Sequence, residues 1–127
     1  MLFDESKTNK FYKNLILQCN LIRDEIWITA FNLNKLQVGH VKFVRSGDHI
    51  FSASVVVDWD YRKQGIATAM YVFAHEMGYK IRPSEIQSTD GQNMWKAFRK
   101  KKLPFTAETF LERLTRQYKE VIVSIGF

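Results

Sequence analysis

The chain has 127 residues, 46% hydrophobic and 14% aromatic, which supplies one sizeable core and excludes a disordered polymer. Its single cysteine, Cys19, cannot close an internal disulfide, and His40, His49 and His75 are scattered without zinc-ligand spacing, so no metal is expected. Lys and Arg outnumber Asp and Glu by 19 to 13, and the net charge of +6 favours an anionic ligand or partner: nucleic acid, a phosphate-rich cofactor or an acidic protein surface.

The opening MLFDESKTNK lacks the apolar run of a signal peptide, and no stretch approaches the roughly twenty apolar residues of a membrane span. The expectation is a single cytoplasmic domain over 1–127, off the membrane. Leu15 to Leu21, Glu25 to Leu33, Leu36 to Arg45 and His49 to Val57 are rich in β-branched and aromatic residues and predict four strands. Short polar turns at Arg23 and Asp24, Asn32 to Lys35 and Ser46 to Asp48 join them as an antiparallel meander.

After Val57 the period changes. Ile66, Ala69, Met70, Phe73, Ala74 and Met77 form one apolar stripe, predicting a helix over Gln64 to Met77 that Gly78 ends. Ile81 to Ser88 reads as a fifth strand, parallel to the fourth with the helix as crossover, because Pro83 keeps Arg82 out of helical geometry. Thr89 and Gln92 have the capping-box spacing and start a second helix, with Met94, Trp95 and Phe98 on its apolar face and the basic run Arg99 to Lys102 at its end. Past Pro104, Thr106 is placed to cap a third helix, with Phe105 and Phe110 as staple and Leu111, Leu114 and Tyr118 continuing the stripe. Val121 to Ile125 has the composition of a last strand.

Chemistry concentrates at Val55 to Met70, where an apolar strand, a polar loop and a helix start follow one another. The first amides of a helix have no intrahelical partner and carry its positive dipole end. Gly65 and Ala67 leave little bulk above those amides while Arg62 and Lys63 add charge, so the junction is an anion cradle fit for a pyrophosphate. A Walker loop is excluded because its Gly-Lys-Ser/Thr order is absent, and a dinucleotide fingerprint because only one of its three glycines is present.

The segment resembles the signature of the GNAT superfamily of N-acetyltransferases, in which a strand leads through V-x-P-x-Y-R and R/Q-x-x-G-x-G/A into a helix. Val57 stands at the strand end, Tyr61 and Arg62 form the Tyr-Arg pair, and Gly65 and Ala67 are the two small residues; Asp58-Trp59-Asp60 replaces the stretch containing the proline. Gly78, Ile81, Pro83-Ser84, Gln87-Ser88 and Asp90-Gly91 to Trp95 resemble a second pattern of compact, often phage-type, members. The resemblance covers roughly Ile50 to Phe98 and implies an α/β fold: a mixed sheet with splayed parallel fourth and fifth strands and flanking helices.

It implies acetyl-CoA as cofactor, with the backbone of Val55 and Val57 on the pantetheine and the amides of Gln64, Gly65, Ile66, Ala67 and Thr68 on the pyrophosphate. Asn93 would approach the pantetheine or thioester where the two strands part. The implied reaction is direct attack of an amine on the thioester. The usual base and tyrosine are not matched, since Phe51 and Ala53 occupy the strand positions and the helix after Asn93 offers Trp95 and Phe98; His49 and Ser88 are the remaining catalytic candidates.

Leu21 to Glu25 leaves no room for the helices that the family inserts between its first two strands. An open acceptor side suits an amine on a protein or nucleic acid, unless a second subunit of a homodimer or the C-terminal helix supplies the wall. Two other readings are a basic nucleic-acid-binding module and a degenerate CoA binder acting through protein interaction. The run Lys96 to Lys102 reads as a solvated helix end, Trp27, Trp59 and Trp95 as core, and Cys19 as a buried small hydrophobe.

Overall fold

Tight hairpins organise the first half of the chain in a computed structural model that describes residues 3–4 and 9–106. Strands β1 (Asn9–Tyr12), β2 (Leu15–Ile22), β3 (Glu25–Asn32), β4 (Gln37–Ser46) and β5 (His49–Val57) form a five-stranded sheet in chain order, each antiparallel to the next. Lys13 (φ 53°), Arg23 (φ 57°) and Gly47 (φ 60°) take the left-handed conformation that closes short hairpins. The longer β3–β4 turn is held by the Asn32 carboxamide, whose oxygen accepts from the amides of Asn34 (2.9 Å) and Leu36 (3.0 Å). The meander therefore has one strand more than expected: β1 precedes Leu15, and no helix stands between any of the five strands.

Helix α1 (Ile66–Glu76) lies on one sheet face and buries Ile66, Ala69, Met70, Tyr71, Phe73 and Ala74 in a cluster with Ile26, Ile28, Val41 and Phe43. It starts two residues later than expected, with Gly65 as N-cap at φ 78°. Gly39 permits the close approach: a Cβ there would stand 2.9 Å from the Val56 carbonyl oxygen, with Ile66 and Met70 side-chain atoms at 3.4 and 3.5 Å. Helix α2 (Thr89–Lys100) adds Trp95 and Phe98. With Tyr71, Phe43 and Phe105 they make a cluster of rings, mostly edge to face, at centroid separations of 5.0 to 5.9 Å.

The opposite sheet face buries Gln18, Thr29 and Phe31. Phe3 meets the Phe31 ring edge-on at 5.3 Å, and the Gln18 carboxamide exchanges hydrogen bonds with the Asp4 backbone. Trp27 lies here too, half-buried against His40 at 5.2 Å, and Lys42 sits 5.8 Å from its ring. Trp95 is core as expected, whereas Trp59 is 77% exposed.

The expected fifth strand, parallel to its neighbour, is reduced to a single bridge, Ile50 to Ile81. The Ile50 amide donates to Lys80 O (2.8 Å) and the Arg82 amide to Ile50 O (2.9 Å), and no further bridge to β5 follows among the described residues. The chain then leaves β5 through a loop in which Ser84 Oγ donates to Ile86 O (3.0 Å) and Gln87 Nε2 to Ser84 O (2.8 Å). The cap of α2 also differs from expectation: Ser88, not Thr89, has the extended backbone of a cap (φ −65°, ψ 165°), and its Oγ accepts from Gly91 N at 3.1 Å. Phe105 and Thr106 close a short 3₁₀ turn, Pro104–Thr106; the expected third helix beyond them and the strand Val121 to Ile125 lie outside the described residues. Among the described residues no helix is long and apolar enough to cross a membrane.

Candidate functional site

Among the described residues no strand lies beside the outer edge of β5 beyond Ile50, and α2 stands across from it. Two cavities occupy the interval, of about 460 and 270 Å³, and Met94 borders both. The larger is walled on one side by Ser52 to Val55 and on the other by Ser84, Gln87, Ser88, Asp90 and Gly91, with Trp95 as floor. A bulge shapes the strand wall: Ser52 pairs with Phe43 and Ser54 with Lys42, so Ala53 is the extra residue and the edge bends there.

The smaller cavity sits over the start of α1. A 3₁₀ turn, Trp59–Tyr61, leaves β5 and is braced by Asn32, whose Nδ2 donates to Tyr61 Oη at 3.2 Å. Arg62 Nε donates to Val57 O at 3.3 Å while the guanidinium lies 4.8 Å from the centre of the Trp59 ring. Lys63 (φ 61°) and Gly65 (φ 78°) both take left-handed backbone, which turns the chain sharply into the helix. No side chain caps α1, so the amides of Ile66, Ala67 and Thr68 have no partner within the helix, and these three residues line the cavity with Gly65. Arg62 and Lys63 on one side and Lys101 on the other surround it with positive charge.

Eight of the ten cofactor positions expected from sequence line these cavities: Val55 the larger, and Val57, Arg62, Lys63, Gly65, Ile66, Ala67 and Thr68 the smaller. Gln64 instead braces the loop, its Nε2 donating to Asp60 O at 3.2 Å. Asn93 is exposed on α2 and lines neither cavity; the next residue, Met94, occupies the cleft. His49 also lies outside both, its Nδ1 3.2 Å from Asp48 Oδ1. Hydrogen bonds from His49 and then Lys80 hold the Asp48 carboxyl below its ordinary range. Ser88 does line the larger cavity, though one lone pair of its hydroxyl serves the helix cap.

Gln87, Asp90, Met94 and Lys101 also line the cleft, though none was among the cofactor or catalytic positions expected from sequence. Asp90 in a first turn reads from sequence as an ordinary complement to the helix dipole, and Lys101 as part of a solvated run. Only the placement of α2, fixed by the ring cluster, turns them toward β5. Tyr71, the hub of that cluster, is fully buried and makes no well-aligned hydrogen bond; burial pushes its phenol up to about 12, with Ser52 offsetting part of the shift. Among the described residues no group of His, Cys, Asp and Glu is arranged to hold a metal ion.

No protein-family model matches the chain, and no curated protein matches it. Solved structures do. A GNAT-family acetyltransferase of Staphylococcus aureus Mu50 is 16% identical with a TM-score of 0.46, the match covering 60% of this chain and 52% of that one. The aminoglycoside 6'-N-acetyltransferase AAC(6')-Ih of Acinetobacter baumannii is 14% identical with a TM-score of 0.46 over 69% of this chain and 65% of that one. AAC(6')-Iy, solved in complex with a CoA bisubstrate analogue, is 13% identical with a TM-score of 0.44 over the same shares, 69% and 65%. All three are acetyltransferases. The chain matches between about half and two thirds of their length.

Proposed function

We propose that the chain is a GNAT-like N-acetyltransferase domain that binds acetyl-CoA along the β5–α2 cleft and serves its transfer to an amine. The observation that carries this reading is that Met94 borders two unlike cavities: an anion cradle on one side and, on the other, a hydroxyl-lined chamber beside a strand edge that no described strand pairs. An extended molecule with phosphates at one end and amides along its arm fits that sequence of surfaces. The amides of Ile66, Ala67 and Thr68, with Arg62, Lys63 and Lys101, would hold the pyrophosphate. The edge at Val55 and Val57, unpaired among the described residues, would take the pantetheine amides as a strand takes its neighbour.

Bound acetyl-CoA supplies an activated acyl carbon: the nitrogen of the neutral amine forms the new C–N bond, the C–S bond breaks, and the proton that the nitrogen loses leaves with the sulfur as the thiol. Trp95 and Met94 exclude water from the floor of the chamber, and the Ser88 hydroxyl proton, unused in capping, can be donated into it. The acceptor is an amine on a macromolecule, protein or nucleic acid. No helix among the described residues walls the sheet between its strands, which supports an open acceptor side.

The test is incubation with acetyl-labelled acetyl-CoA and separated protein, RNA, DNA and metabolite fractions, following thiol release and the label together. Thiol release with label in one macromolecular fraction is expected. Label confined to small metabolites would overturn the acceptor assignment, and absence of both label transfer and thiol release would overturn the enzymatic one.

A further inference from the structure

We infer that Trp59 is a positioning residue for the anion cradle: its ring holds the Arg62 guanidinium as a fixed fork for the diphosphate of the bound cofactor. This role deepens the acyl-transfer reading and rests on its cofactor site. Trp59 reads from sequence as core, yet it is 77% exposed, so burial does not account for an indole at this position. Among the described residues its ring meets one partner, the Arg62 guanidinium, 4.8 Å from the ring centre.

Two carboxylates compete for that guanidinium. Asp58 and Asp60 lie within four residues of Arg62, but among the described residues no ion pair joins Arg62 to either. An arginine that pairs with a neighbouring acid commits its fork there and loses its net charge to the pair. Arg62 lies on the indole instead, and its Nε donates to Val57 O at 3.3 Å. One hydrogen bond and one ring contact together restrict the plane of the group. Neither uses the Nη groups, which keep their N–H donors for an anion. Arg62 and Val57 both line the cavity with Gly65, Ile66, Ala67 and Thr68, so the free fork and the free helix amides serve the same space. A planar fork matches two phosphate oxygens at once, and a side chain already held in place loses less freedom on binding. Lys63 beside it is a point charge with no such brace among the described residues. Lys63 adds charge to the cradle; Arg62, through Trp59, adds geometry.

The experiment is a double-mutant cycle of Trp59→Leu and Arg62→Met with two probes, acetyl-CoA followed by calorimetry and inorganic pyrophosphate followed by NMR shifts. An exposed cation–π contact corresponds to about two- to fivefold in affinity, so Trp59→Leu should weaken both probes by that factor. Trp59→Phe should restore most of the loss, because a phenyl face also attracts a guanidinium. In the Arg62→Met background Trp59→Leu should have no further effect, whereas a ring that merely braced the turn would lower affinity equally in both backgrounds. The indole N–H resonance of Trp59, assigned by its loss in Trp59→Leu, should move with pyrophosphate in the unaltered chain and stay in Arg62→Met. Unchanged amide shifts outside Asp58 to Thr68 are the check on folding. Equal losses in the two backgrounds, full affinity in Trp59→Leu, or no binding of pyrophosphate would overturn the inference. Pyrophosphate binding with the coupling intact but no binding of acetyl-CoA would uphold the positioning role and refute the cofactor reading instead.

Discussion

Gly65→Ala separates the binding role of the cradle from its backbone role. Gly65 sits at φ 78°, and nothing lies within 4 Å of where a Cβ would stand, so the new methyl meets no steric clash and the cost is conformational. Left-handed backbone costs an L-residue about 1–2 kcal/mol, partly offset by the smaller entropy of the unfolded alanine chain, for a net loss of about 1 kcal/mol. At about 2.1 cal/mol/K of unfolding entropy per residue, that lowers Tm by about 4 °C in a chain of 127 residues. Gly47→Ala is the internal control, since Gly47 has φ 60° and equally open surroundings but lines neither cavity. Both variants should melt a few degrees early; only Gly65→Ala should lose acetyl-CoA. Forfeiting one charge-assisted bond at the cradle, about 1.5–3 kcal/mol, weakens Kd by roughly 10- to 150-fold. Calorimetric titration and differential scanning calorimetry on the same samples decide the matter. If Gly65→Ala binds acetyl-CoA as tightly as Gly47→Ala, the cradle does not hold the phosphates.

Ser88→Ala should cost about 1 kcal/mol by removing the α2 cap, while Thr89→Ala should leave the urea midpoint nearly unchanged; the reverse order would reinstate Thr89 as the cap. Gly39→Ala drives a Cβ to 2.9 Å from Val56 O and should cost about 1–3 kcal/mol in chemical denaturation, with near-zero loss counting against the close packing of α1. Tyr71 binds its proton more tightly folded than unfolded, so its stabilising contribution is intact below pH 10.0 and is lost as pH climbs toward about 12. Stability should fall by up to about 1.4 kcal/mol per pH unit in that window, and Tyr71→Phe should flatten this part of the pH profile of urea unfolding.

Strands β2 to β5 were legible because each is a run of eight residues or more rich in apolar, β-branched or aromatic residues, and the polar turns between them are short. The four-residue β1 is too short to show a period, and it owes its place to pairing with β2. The run after Ile81 has strand-like composition, but the chain turns off the edge at Ser84, whose hydroxyl donates to Ile86 O and whose carbonyl accepts from Gln87 Nε2. Gln92 made Thr89 look like the cap; the hydroxyl that caps is the one whose own backbone is still extended, a property of φ and ψ that spacing does not report. Arg62 to Thr68 was readable as a cradle because its logic is local. The opposite wall was not. Whether Asn93 or Met94 faces β5 depends on the roll of α2, which Trp95 and Phe98 set by packing on Tyr71 some twenty residues earlier in the chain. Trp59 was misjudged for a related reason: its ring is engaged by Arg62 at the surface, a contact that residue type alone does not reveal.

The strand edge from Ser52 to Val57 has a consequence for the protein in solution. Among the described residues no strand neighbours it, and such a row of amides and carbonyls is a template for any other extended backbone, including the same edge of a second molecule. Charged and proline residues commonly blunt such edges, but this one is made of serine, alanine and valine, with Val56 45% exposed. A ligand lying along it would act as a removable guard, and the concentration at which the protein begins to self-associate should rise when acetyl-CoA is present, making colloidal behaviour a readout of occupancy.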